Sequence, residues 1–245
     1  MPGIAFLCCV SDDAKLARLE ESIRALDPVA GVDVATFTTR DDRSLASAYN
    51  RLLADAAGWR YKVYVHQDVV LLNRGLVGDL LRLFRHRGIG LAGLAGVRFL
   101  PPSYVWWNGS GLFGRVLEDR GEGPRLLDFG DPPDEYARVE CLDGLFLATQ
   151  HDLPWDEQIP GFHFYDVAQS TRFLLAGYDV VVARQGEPWV RHDMGARDKA
   201  HLRAYAAAQE RFAELYGARR DRFVRARVRR RARRLVTRAR VSLRR

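Results

Sequence analysis

The chain has only three cysteines in 245 residues, Cys8, Cys9 and Cys141. An odd number, each set in an apolar run, excludes a disulfide-stapled scaffold and reads as buried thiols in a reducing cytosol. No pair of them has zinc spacing, which argues against a structural zinc site. No window approaches the roughly 20 apolar residues of a membrane span. The N-terminus, MPGIAFLCCVSDD, lacks the basic segment and cleavage site of a secretory leader and reads as a strand. These absences point to the cytoplasm. There are no internal repeats, and no linker is evident before Gly217. What is present is a hydrophobic content of 47%, ordinary for a globular chain with a substantial core. The length suits one large domain, or one domain with a short appendage.

Charge is unevenly placed. The formal total is +7, yet Arg219–Arg245 holds fourteen arginines against one acid, Asp221. That segment carries +13, which leaves −6 for everything before it. The reading is a folded domain over 1–217 with an arginine-rich tail, helical or disordered, over 218–245.

Along the domain, strand and helix alternate. GIAFLCCVS (3–11) is a strand buried on both faces, and Asp12 and Asp13 open a helix with N-terminal acids. VDVATFT (32–38) is a second strand. SLASAYNRLLADAAG (44–58) is a helix capped by Ser44. YKVYVHQDVVL reads as a third strand, LVGDLLRLFRHRG (76–88) as a helix and IGLAGLAGV (89–97) as a fourth strand. This order predicts an α/β fold with a doubly wound, mainly parallel sheet. RFLPPSYVWWNGSGLFG then reads as a long functional loop. HFYDVAQSTRFLLAG (163–177) is a helix stopped by Gly177, YDVVVA (178–183) a strand, and a last helix runs from about Ala196 to Tyr216.

In such a sheet, ligands bind beyond the carboxyl ends of the strands. Ser11, Thr38, His66 and Asp68 lie there. His66 and Asp68, two apart on a strand, project to one side. A carboxylate in that place suits Mg2+ or Mn2+ shared with a diphosphate, and an adjacent imidazole shifts the preference toward Mn2+. The alternative is a solvated strand end. Downstream, Asp143 and Gly144 precede an apolar strand, and His163 and Asp166 sit at a helix start, where a carboxylate meets the dipole. His192 follows in PWVRHD. GSGLFG (109–114) fits a dinucleotide fingerprint by letter only, since it neither follows the first strand nor opens a helix. The sequon at Asn108 has no secretory signal to make it relevant.

In order and spacing these segments resemble a glycosyltransferase of the GT-A fold, near the family 2 group and its bacterial glycosyltransferase-like relatives. The resemblance runs from about Gly3 to His192. SLASAYNRLLADA looks like the helix whose Asn, here Asn50, lies near the nucleotide. YVHQDVVL stands at the place of the D-x-D metal motif, with His66 for its first acid. LDGLFLA resembles the acceptor-side strand. GFHFYD resembles the start of the Glu-Asp helix, with Tyr165 in place of the Glu. His192 falls where some members carry a late metal-binding His.

The resemblance implies inverting transfer from a nucleotide-sugar donor to a glycan or lipid-linked acceptor. A divalent metal (Mn2+ or Mg2+) on Asp68, with His66 and His192, would neutralise the departing diphosphate, and Asp166 would deprotonate the acceptor. Ser11, Asp12, Thr38, Arg40, Asn50 and Gln67 are expected at the nucleotide. Trp106, Trp107, Asp143, Gly144, His163 and Tyr165 are expected on the acceptor side. Loop anchoring is the other reading of the two tryptophans.

The tail lacks stacking aromatics and any nucleic-acid module, which disfavours nucleic acid. It reads either as a basic amphipathic segment on an anionic membrane, at about 1 kcal/mol per basic residue, peripheral to the inner face, or as a solvated tail. Two rivals to the transferase reading are a degenerate GT-A fold serving as a glycan- or partner-binding module and a sugar nucleotidyltransferase. The latter needs a Gly-rich basic loop where CCVSDDAK places acids.

Overall fold

The computed structural model describes residues 3–40, 42–121, 123–194 and 199–223. The first half runs β1 (Gly3–Val10), α1 (Asp13–Arg24), β2 (Asp33–Arg40), α2 (Leu45–Asp55), β3 (Tyr61–Val65), β4 (Val69–Leu71), α3 (Leu76–Leu83), β5 (Ile89–Gly93) and β6 (Ala95–Phe99). The second runs β7 (Ser110–Asp119), β8 (Pro124–Asp128), β9 (Tyr136–Arg138), β10 (Cys141–Leu142), β11 (Phe146–Thr149), α4 (Tyr165–Leu175), β12 (Asp179–Ala183), β13 (Val190–Asp193) and α5 (Lys199–Phe212).

Seven strands form the main sheet in the order β2-β1-β3-β11-β5-β12-β9. Both faces are covered, and the alternation of side chains shows it. Ile4, Phe6, Cys8 and Val10 of β1 enter one core, with Leu19 and Ile23 of α1 and Leu76 and Leu80 of α3. Ala5 and Leu7 enter the other, with Tyr49 and Leu52 of α2 and Phe173 of α4. Successive strand residues point to opposite faces, so a continuous apolar strand can only be satisfied between two helical layers. Fully burying a side chain such as Phe6 or Leu7 stabilises the fold by about 1.5–3 kcal/mol.

The sheet is mainly parallel, as expected: β2, β1, β3, β5 and β12 run in one direction, and β11 and β9 run against them. β1 pairs parallel with β2 and β3, and β5 with β12. β11 runs antiparallel to both β3 and β5. The run at 89–97, read as one strand, is two. It bends at Leu94 and leaves the main sheet, so β5 belongs to one sheet and β6 to a second, ordered β10-β6-β7-β13-β4 with β8 beside β7. Gly114 makes the bend possible, because a Cβ there would lie 2.1 Å from the Leu94 carbonyl oxygen, and its φ is +119°. The expected long loop is correspondingly shorter, since GSGLFG is the start of β7.

α5 lies across the open side of the molecule. Its buried Phe212 packs against Tyr104 at 5.0 Å and Phe164 at 5.8 Å between ring centroids. Tyr104 and Phe164 are the described non-glycine residues with positive φ, +60° and +58°, a conformation that persists only under firm packing. The helical run continues to residue 223, and Arg220 is buried there. It donates to Glu140 at 2.5 Å and to the Leu100 carbonyl at 3.4 Å. No helix among the described residues is long and apolar enough to cross a membrane. Most of the expected tail, residues 224–245, lies outside the described residues.

Removing one partner of a buried pair leaves the other charge uncompensated. Arg220→Ala is therefore expected to destabilise the protein by about 3 kcal/mol, lowering the thermal midpoint by roughly 6–12 °C. A midpoint within 2 °C or so of wild type in calorimetry would show that Arg220 does not hold the helix.

Candidate active site

The run that reads as one strand, YVHQDVVL, is divided. β3 ends at Val65, β4 begins at Val69, and His66, Gln67 and Asp68 form the turn between them, closed by Val69 N–H donating to the His66 carbonyl at 3.2 Å. His66 and Asp68 converge through that turn and not through strand alternation. Gln67 fixes it. Its side-chain oxygen accepts from the backbone N–H of Ser11 at 2.8 Å and of Asp12 at 2.9 Å, and its amide nitrogen donates to the Ser11 hydroxyl at 2.8 Å.

His192 completes the cluster from β13, where it pairs antiparallel with Val69 of β4. One ligating atom from each of His66, Asp68 and His192 lies within 4.8 Å of the other two. His192 Nε2 is 3.3 Å from one Asp68 oxygen, and Lys15 Nζ is 3.6 Å from the other. His66 Nε2 shares a 2.5 Å hydrogen bond with the Tyr165 hydroxyl. That phenol needs Gly144 beneath it, since a Cβ on Gly144 would lie 2.0 Å from the hydroxyl oxygen.

Electrostatics follow from this packing. Burial opposes ionisation of Asp68, but the hydrogen bond from His192 and the nearby positive charge outweigh it and hold the carboxyl down at about 2. Burial and the His192 charge push His66 below the usual histidine range. His192 is raised, because the Asp68 hydrogen bond and charge overcome its burial.

Asp166 sits in the first turn of α4, with Val167 N–H donating to its carboxylate at 2.9 Å. Burial and the Asp143 charge nonetheless raise it to about 7. It is a carboxyl poised to exchange a proton near neutrality, the range a general base requires.

These groups line one cavity of about 780 Å³ beyond the carboxyl ends of β1 and β3. Ser11, His66, Gln67, Asp68, Trp106, Trp107, Asp143, Gly144, His163, Tyr165, Asp166 and His192 all border it. Asp12, Thr38, Arg40 and Asn50 do not. Asp12 caps α1 by accepting from Ala14 and Lys15 N–H. Thr38 is exposed on the edge strand β2, and Arg40 pairs with Asp13. Asn50 braces the 155–157 loop through Trp155 and Glu157.

The two tryptophans divide. Trp106 is buried against Phe129, while Trp107 is 42% exposed at the cavity mouth. Beside it stand residues that the sequence reading passed over: Phe162, His201 and Tyr205. His201 and Tyr205 are four apart on α5, so their helical spacing was a readable signal. What made it silent is that nothing local says a C-terminal helix folds back over the site.

Comparison with known proteins places the chain. A glycosyltransferase-like family matches residues 5–216. No curated protein matches it by sequence. Among solved structures, GalNAc-T7 with UDP, GalNAc and Mn2+ superposes with a TM-score of 0.54 at 12% identity, over 84% of this chain and 47% of that one. The chain thus spans about half the length of that protein. Residues 1–349 of S. aureus TarS in complex with UDP-GlcNAc superpose with a TM-score of 0.54 at 9% identity, over 91% of this chain and 70% of that one. At such identities the likeness is one of fold, the GT-A fold.

The raised Asp166 has a stability consequence. Its folded value lies above the unfolded one, so its contribution is fully present below about pH 4 and is lost as pH rises through about 7. Asp166→Asn keeps the oxygen acceptor for Val167 and has no charge to bury. It is expected to be more stable than wild type at pH 8 by about 1–3 kcal/mol, with the gap closing by pH 4. Denaturant midpoints at the two pH values test this, and a gap that does not depend on pH refutes it.

Proposed function

The chain belongs to the glycosyltransferase-like family, and on that premise we propose that it transfers a sugar, with inversion, from a nucleotide-sugar donor to a hydroxyl of a glycan or lipid-linked acceptor. The observation that carries this reading is the convergence of His66, Asp68 and His192 in the cavity that also holds Asp166.

The cluster fits a divalent cation. It offers two imidazoles and one carboxylate within 4.8 Å of one another, a set that suits Mn2+ better than the oxygen-seeking Mg2+. Bound there, the ion would neutralise charge on the leaving diphosphate. The Tyr165 hydroxyl holds the His66 ring in place, as a partner outside the ligand set commonly does at metal sites. The protein's remaining work is positional. Asp166 takes the proton from the acceptor hydroxyl, and its raised pKa gives it a basicity suited to neutral pH. Trp107, Phe162 and Tyr205 provide flat apolar surface at the mouth, against which sugar rings pack. The neighbours solved with UDP or UDP-GlcNAc support a nucleotide-sugar as the donor.

The nucleotidyltransferase alternative finds no support, because Ser11-Asp12-Asp13 follows β1 where that chemistry needs a basic glycine loop. We assign the segment 224–245, with eleven arginines and no acid, to an anionic membrane surface at which a lipid-linked acceptor would be presented.

Two variants separate the roles. Titration of a nucleotide-sugar panel with Mn2+ is expected to find one donor that binds only with the metal, and Asp68→Ala should lose that binding. Asp166→Asn should keep donor affinity while turnover falls about 10²–10⁴-fold. Wild-type turnover should rise with pH through about 7, because the base acts deprotonated. Donor binding without any transfer or hydrolysis would make the protein a binding module, and no donor binding at all would sink the reading.

A further inference from the structure

The cavity is short of positive charge. Among the described residues that line it, four are aspartates (Asp42, Asp68, Asp143 and Asp166) and none is a lysine or arginine. Asp42 is neutralised by Arg51 from behind. The metal cluster contains a single carboxylate, so a bound divalent cation would keep one net positive charge, less than the negative charge of the diphosphate it would face.

Most of the backbone at the start of α1 is already taken. A helix N-terminus beyond a strand is ordinarily a phosphate site. Here the N–H groups of Ser11 and Asp12 already donate to Gln67, and those of Ala14 and Lys15 donate to the Asp12 side chain. A basic side chain stands beside this corner, just outside the residues that line the cavity. Lys15, in the first turn of α1, holds its ammonium 3.6 Å from Asp68, on the oxygen not used by His192. Its side chain keeps 27% of its surface exposed.

Resting on the transferase reading above, we propose that Lys15 is a diphosphate-binding residue of the donor site. Its ammonium contacts the phosphate oxygens beside the metal cluster, and it supplies the fixed charge that the site lacks elsewhere. Lys15 and a divalent cation share Asp68 as counter-ion, so they oppose each other until an anion bridges them. The site then holds a metal with a diphosphate better than either alone, and it discriminates against nucleosides without phosphate.

The test compares wild type, Lys15→Met and Lys15→Arg by calorimetry. The probes are Mn2+ alone, the five common nucleoside diphosphates (UDP, GDP, ADP, CDP and dTDP) with Mn2+, and the nucleoside of whichever diphosphate binds. Lys15→Met is expected to weaken diphosphate binding about tenfold, leave nucleoside binding unchanged and bind Mn2+ alone no more weakly than wild type. Lys15→Arg should restore most of the diphosphate affinity. Diphosphate affinity equal to wild type in Lys15→Met would overturn the proposal. So would a joint loss of Mn2+ binding, diphosphate binding and thermal midpoint, which marks a merely structural counter-ion of Asp68. Wild type binding none of the diphosphates would instead bring down the transferase reading, and this inference with it.

Discussion

The Asp68 carboxylate is the point on which the site depends. It is half-buried, and a carboxylate in that setting is costly unless it is paired. His192 and Lys15 pair with it from two different directions. His192 arrives on β13 of the second sheet and Lys15 on α1, which packs on the main sheet, so one charge draws three separate parts of the chain to a point. The pairing of β4 with β13 brings His192 beside Val69, and Asp68 is the residue just before it. Gln67 provides the other constraint, holding the turn against the end of β1.

A second layer of organisation lies at the opposite wall. α5 covers an aromatic set drawn from two loops, and Phe212 is seated against both residues that hold left-handed backbone, Tyr104 and Phe164. Phe164 immediately precedes Tyr165 and Asp166. The packing that sustains its backbone therefore also fixes where α4 begins, and with it the Tyr165 phenol on His66 and the Asp166 carboxyl. Arg220, buried on Glu140, anchors the chain just beyond α5. The Asp166 carboxyl, the cluster of His66, Asp68 and His192, and α5 are one mechanical assembly.

Much of the fold was legible because its signals are local. Asp12 and Ser44 cap the helices that their sequence positions announce. The apolar run of β1 requires two covering layers and has them. The places where the sequence alone is ambiguous share one feature, which is that a distant partner decides them. The run at 89–97 looks like one strand until Gly114 is seen to admit the bend at Leu94. Asn50 looks available for a nucleotide until the 155–157 loop takes both ends of its amide. Trp106 and Trp107 are identical letters side by side, and only packing separates the buried anchor from the exposed face.

By itself, the sequence determined the layered α/β architecture, the helix starts, the end of the sheet at which chemistry would lie and the residue types available there. Period-two and period-3.6 patterns and capping residues act over a few positions, and a single chain displays them in full. Tertiary structure alone decided that His66, Asp68 and His192 share one point, that Lys15 joins them and that α5 supplies Tyr205 and His201 to the mouth. The lining of that one cavity runs from Cys9 to Tyr205, 196 positions apart. Those contacts are fixed by sheet registry and by the need to pair a half-buried charge, neither of which leaves a mark on neighbouring residues.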